Sequence, residues 1–209
     1  MSLCTLAQVK AFLGIATADE DNDDLLTSFI ERTSSRLAGE AGRVLGGVAC
    51  LERAAHVELF SPQPRTQVLW AAAWPMVSIT EIKEALYGAF DDVDALVANE
   101  GYQVLLATGQ LMRIGRWMAG AASVRVTYTG GYTPPTEFLA DGYEQGAGEV
   151  LLPPAVTEAA VQQVAFSFNR RDELGQTSAG VQGGSFSTYA KDELLPNVRQ
   201  VMAMYRRLL

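Results

Sequence analysis

Five carboxylates crowd one short stretch. Asp19, Glu20, Asp21, Asp23 and Asp24 fall within six positions, with Asn22 among them. Carboxylates at alternate positions are how a calcium-binding loop begins. Such a loop also needs a glycine for its sharp turn and a glutamate at its end to grip the ion from both oxygens. Asp24 stands where the glycine belongs and Ile30 where the glutamate belongs, so the calcium pattern fails twice. An acidic tail fails as well, because the cluster runs directly into "LLTSFIERTSSRLAGEAGR". There Leu25, Leu26, Phe29, Ile30, Thr33 and Leu37 recur at helical spacing. The cluster therefore reads as the solvated entrance of a helix, its charges facing the positive end of the helix dipole. Thr17 with Glu20, or Asp21 with Asp24, has the spacing to open it. The same charges offer a surface to a basic partner.

Other candidate chemistry is sparse. His56 is the single histidine, on a strand-like stretch, and no base or nucleophile pattern accompanies it. The chain contains no G-x-S-x-G elbow, phosphate-binding Gly-Lys loop, H-E-x-x-H pair or C-x-x-C pair. "GVQGGS" at 180–185 is glycine-rich, but no lysine follows and no strand leads through it into a helix. Asp91, Asp92 and Asp94 have no ligand-like partner nearby in sequence. Trp70, Trp74, Trp117 and the tyrosines around Tyr128 have the chemistry to line a sugar site, and equally to fill a core. Cys4 and Cys50 are too few for a disulfide framework or a zinc site and suit a reducing compartment. The expectation is a protein without catalytic residues, metal or cofactor.

The elements that carry these residues are legible in outline. "TLAQVKAFLG" reads as a short helix capped by Thr5 and Gln8, with Leu6, Val9, Phe12 and Leu13 as its apolar stripe and Gly14 as its stop. Gly39 and Gly42 end the helix that follows the acids. From residue 53 the period changes. "RAAHVELF", "QVLWAAAWP", "SITEIKEALYG", "YQVLLATG", "QLMRIG" and "ASVRVTYTGGY" read as strands or short apolar runs between turns. "DDVDALVANEG" reads as a turn or a single helical turn, and 134–152 as a loop. "LPPAVTEAAVQQVAFSFNRRDE" is a strong helix with Pro154 in its first turn. "LGQTSAGVQGGSFSTY" is a Gly/Ser-rich flexible segment, and Pro196 opens a last helix over 196–208. The expected fold class is α+β: N- and C-terminal helices forming a helical bundle, with an inserted antiparallel β-rich subdomain. The divisions are 1–49 (helices), 50–133 (β-rich insertion) and 134–209 (helices with the flexible stretch 175–189), all in one structural unit.

With 209 residues and a net charge of −8, the chain has length for a sizeable core, and its surface as a whole repels phosphate. Met1 to Lys10 lacks a basic run followed by an apolar one, so no signal peptide is expected. No apolar run reaches the roughly eighteen residues of a membrane-spanning helix. Of its 16 basic residues 13 are arginine, which suits bidentate contacts between proteins.

The order of segments carries a resemblance. Thr5, Leu6, Val9, Lys10, Leu13, Gly14 and Ile15, then Asp24, Leu25 and Leu26, then Gly42 and Arg43, resemble the opening of tailed-phage head–tail connector (adaptor) proteins, also called putative DNA-packaging proteins. "VRVTYTGGYTPP" (124–135), "LPPAVTEAAVQQVAFSFNRRDELG" (152–175) and "LLPNVRQVMAMYRR" resemble later elements of that family in the same order, and 136–150 departs from it. The resemblance implies a non-enzymatic ring protein of the virion neck, in about twelve copies under the portal. The ring extends the DNA channel and docks the next neck or tail-completion protein, and DNA passes without tight binding. Assembly in the host bacterial cytoplasm, from a phage or a prophage, is implied too, without cofactor or membrane. A ligand- or glycan-binding module using exposed aromatics is the alternative. The expected interface residues are Asp19, Asp21, Asp23 and Asp24 on one face. Arg170, Arg171, Arg206 and Arg207 stand on the other, with Phe186 and Tyr189 as anchors for a neighbour or the portal.

Overall fold

A computed structural model of the chain describes residues 2–91, 99–171 and 194–206. The first helix, α1 (Leu6–Leu13), begins as its sequence dictates. Thr5 Oγ1 accepts from the Gln8 amide at 3.2 Å, and Gln8 Oε1 accepts from the Thr5 amide at 2.8 Å. Two of the orphan donors at the helix start are thus satisfied reciprocally. Gly14 closes the helix at φ 72°, where a side chain would be strained. Val9 is buried and Leu6 and Leu13 half-buried, but Phe12, expected in the stripe, is 53% exposed.

Helix α2 spans Asp23–Glu40, with Asp23 and Asp24 in its first turn. Its N-cap is Asn22 without a side-chain cap bond, so neither Thr17–Glu20 nor Asp21–Asp24 opens it. The cause lies in α1. The buried Lys10 ammonium donates to the carbonyls of Thr17 and Asp19 and pairs with Asp23 Oδ1 at 2.5 Å. That network fixes the connecting turn and sets where the helix can begin. Leu26, Ile30, Thr33 and Leu37 are buried, and Leu25 faces out.

The expected loop at 134–152 contains a one-turn helix, α3 (Pro135–Phe138), which the fixed φ of Pro135 suits. Helix α4 (Pro154–Asn169) packs against α1, α2 and α5 (Pro196–Met204), and alanines such as Ala159 and Ala160 let the backbones approach. Buried Gln163 accepts from the Leu195 amide at 2.9 Å and so positions the start of α5. The last helix ends at Met204, short of the expected 208.

The β-rich part follows. A small hairpin, β1 (Val44–Leu45) and β2 (Val48–Ala49), turns at Gly46 and Gly47, both at positive φ. It lies within 1–49, where only helices were expected. Strands β3 (Ala54–Phe60), β8 (Val124–Gly130) and β5 (Met76–Glu84) form an antiparallel sheet with β8 in the middle. Strands β4 (Val68–Trp70), β7 (Gln110–Arg113) and β6 (Tyr102–Leu105) form a second one around β7. Alternation along β8 places Val124, Val126 and Tyr128 inward, against Leu69, Ile82, Leu111 and Trp117. The chain is thus a mixed helix and antiparallel sheet protein with one core among the helices and another among the strands.

The cores meet where β8 leaves the sheet. The Tyr132 amide donates to the Leu51 carbonyl at 2.8 Å, and the Arg53 amide to the Tyr132 carbonyl at 2.8 Å. Tyr128 belongs to the strand core and Tyr132 to the helical one. Between them Gly131 sits at φ 104°, and a Cβ there would overlap the Glu52 carbonyl. Only glycine lets the two backbones pass so closely.

Candidate assembly surfaces

The acidic turn divides by role. Asp23 is held by Lys10, and an Asp19 carboxylate oxygen accepts from the Asp21 amide at 3.1 Å. Asp19, Glu20, Asp21 and Asp24 are exposed. The turn is therefore an ordered acidic surface, built on one buried ion pair that sequence spacing did not reveal.

Arg170 and Arg171 follow α4. Arg171 donates to the Phe168 carbonyl at 3.0 Å and lies over the Phe168 ring at 4.0 Å, and Arg170 lies 5.1 Å from the Phe166 ring centre. Both neutralise the negative end of the helix. Phe168 meets Phe29 of α2 edge-on at 6.5 Å. These arginines thus follow a helix whose last turn packs on the first half of α2, the helix that the acidic turn precedes. Arg206 is exposed just beyond α5. Arg207, Phe186, Tyr189, the stretch 175–189 and most of "DDVDALVANEG" lie outside the described residues.

Arg43 is the residue that the physics of the sequence missed. It is fully buried where the helices meet the strands. Its guanidinium stacks 3.5 Å from the Trp74 ring centre and 5.4 Å from that of Tyr132. It donates to the Trp74 carbonyl, and through Nε to the Tyr205 carbonyl at 3.2 Å. Tyr132 in turn contacts Trp74 and Tyr205 edge-on, each at 6.4 Å. Burial lowers the Arg43 pKa to about 10, partly offset by Tyr132, so the group stays charged at neutral pH. The contacts fasten the end of α5 to the strands. Its only sequence signal is the Gly42-Arg43 pair within the family-like exit of α2.

A second brace holds the loop after α3. Arg53 pairs with Glu137 and with Glu149. Glu149 also accepts from the Tyr143 hydroxyl at 2.9 Å and the Gly146 amide at 3.2 Å. Leu139, Val150 and Leu151 are exposed around it.

Inside the strand core, Glu58 Oε2 accepts from the Tyr128 hydroxyl at 2.8 Å and the Ala72 amide at 2.9 Å, while the Tyr128 oxygen accepts from the Ala73 amide at 3.1 Å. Burial raises the Tyr128 pKa and lowers that of His56, which sits 5.6 Å from the Tyr128 ring. The network ties Ala72 and Ala73 to the sheet. Trp117 is buried and Trp74 is covered by Arg43, so these aromatics serve packing. Burial pushes the Cys4 thiol up to about 12. Among the described residues, no group of three or more His, Cys, Asp or Glu could hold a metal ion, and no helix is long and apolar enough to cross a membrane.

No protein-family model matches the chain, and no curated protein does. Solved structures do. One is a chain in the neck of an empty GTA particle computed with C6 symmetry, 15% identical, with TM-score 0.59 over 99% of this chain and 91% of that one. A chain in the neck of a native GTA particle computed with C12 symmetry aligns over 99% and 90%, at 14% identity and TM-score 0.57. A chain of the virion of a native gene transfer agent (GTA) particle gives 14% identity, TM-score 0.59 and coverage of 99% and 91%. The protein shares the fold of chains that build phage-like neck particles.

Proposed function

We propose that the protein is a head–tail connector (adaptor): a non-enzymatic subunit of a phage or prophage neck. The observation that carries this is the near end-to-end match, over 99% of this chain and 91% of the other, to a chain of a neck particle. Partial overlap would indicate a shared module, whereas full overlap argues for a shared part in the assembly. The same match favours many copies in a ring, because those necks have C6 and C12 symmetry. In this proposal the helices form a bundle and the strands an inserted subdomain. The ring, of about twelve copies, sits under the portal, lines the path of packaged DNA and docks the next neck or tail-completion protein. It assembles in the bacterial cytoplasm.

Sedimentation of the purified chain, alone and with portal protein, tests the proposal. A species with the mass of a closed ring, formed alone or on the portal, is expected. A chain that stays monomeric at high concentration in both samples contradicts it.

A further inference from the structure

Two loops at one end of the strand part zip into a single tip. The Trp117 amide donates to the Thr66 carbonyl at 2.9 Å, the Arg113 amide to the Gln67 carbonyl at 2.9 Å and the Gly120 amide to the Pro62 carbonyl at 3.2 Å. The Ala122 amide donates to Ser61 Oγ at 2.9 Å, and the Trp117 side chain is buried beneath. This tip holds both non-glycine residues of the described chain with left-handed φ, Arg65 at 77° and Ala122 at 46°. Arg65 follows Pro64 in a tight turn closed by the Thr66 amide on the Gln63 carbonyl, at the position where such turns favour glycine. The turn gains nothing from an arginine there, and the strained backbone presents its guanidinium to solvent.

Arg116 is exposed on the partner loop, with Ile114 and Met118 beside it in sequence and also exposed. Among the described residues neither Arg65 nor Arg116 has an ion-pair partner. The nearby carboxylate of Glu84 is taken by Arg113 at 3.0 Å and by the Met118 amide at 2.9 Å. The tip is thus a rigid basic surface with an apolar margin.

The chain also carries a complementary surface. Asp19, Glu20, Asp21 and Asp24 are exposed at the start of α2, about 27 Å of helix from the junction of the two cores. The tip lies beyond the far end of β3, about 23 Å of strand from the same junction. A closed ring needs two different, mutually fitting faces on each copy. We infer that the Arg65–Arg116 tip of one copy docks on the exposed acidic turn of the next; this rests on the connector proposal. DNA phosphate is the other anion of that setting. A ring of such tips turned inward would grip the duplex that has to slide, while the acidic turn on the same chain would be left without a partner.

Charge exchange tests the contact. One variant carries Arg65→Glu and Arg116→Glu. A second carries Glu20→Lys and Asp21→Lys, both ahead of α2. Each variant alone should need at least about tenfold more protein to form rings by sedimentation, since like charges then face each other. A mixture of the two should assemble near the parent concentration, because opposite charges again meet. Arg65→Gly, which suits the turn, should keep or raise the melting temperature and still weaken assembly. Parent-like assembly of either charge variant or of Arg65→Gly overturns the inference and leaves the connector proposal standing. So does a mixture that fails to recover, or a tip variant that assembles normally but loses retention of duplex DNA. A parent chain that forms no ring even with portal overturns both.

Discussion

A guanidinium sealed from water keeps its charge only if its surroundings replace the lost hydration. Around Arg43 two backbone carbonyls and the faces of Trp74 and Tyr132 supply much of that replacement. Lysine offers a point charge in place of a planar fork and cannot stack as well. Arg43→Lys should therefore cost about 2 kcal/mol in urea unfolding. His56 gives a pH dependence of definite sign. Burial lowers its folded pKa below the ordinary value near 6.5, so the unfolded chain binds the proton more readily. Stability from this residue is complete above that value and declines as pH falls from it towards the folded pKa. His56→Gln should flatten that decline in unfolding titrations between about pH 7 and 5. A lone histidine in a strand was visible in the sequence, but its burial against Tyr128 was not. Arg43 and Lys10 were equally hidden, because spacing along a chain cannot say which charge folds inward to meet backbone carbonyls.

At the scale of elements, periodicity and caps were enough for the long helices and for most strands. The Thr5–Gln8 cap, the Gly14 stop and the Pro154 and Pro196 starts are local chemistry, and local chemistry is what a sequence displays. The start of α2 escaped because a tertiary ion pair sets it. The β1–β2 hairpin escaped because two residues a side are too few for a pattern. Gly131 is the element-scale test of the junction. Gly131→Ala should cost about 3 kcal/mol or more, since its Cβ meets the Glu52 backbone at a positive φ. The Arg53–Glu149 brace should act locally instead. With Glu149→Gln, amides in 139–150 should exchange faster with solvent while the global melting point moves by no more than a few degrees. An unchanged exchange rate would mean the loop is held by other contacts.

At the scale of the whole molecule, the net charge of −8 sets the expected behaviour towards DNA. The free chain should bind duplex weakly at physiological salt, and sub-micromolar affinity with a steep salt slope would instead mark a factor that grips DNA. The β-rich middle between helical ends and the overall class were legible in the sequence, and so was the order of family-like segments. The candidate surface was only partly so. Asp19, Asp21 and Asp24 stand out as a charge cluster, whereas Arg65 and Arg116 lie 51 positions apart and become neighbours only when their loops zip together. In the proposed neck, copies of this chain close into a ring, which electron micrographs of the purified protein, alone and bound to portal, can show. Closed particles with one rotational symmetry and a central opening wide enough for duplex DNA are predicted, and monomers or open filaments in both samples would overturn the connector proposal.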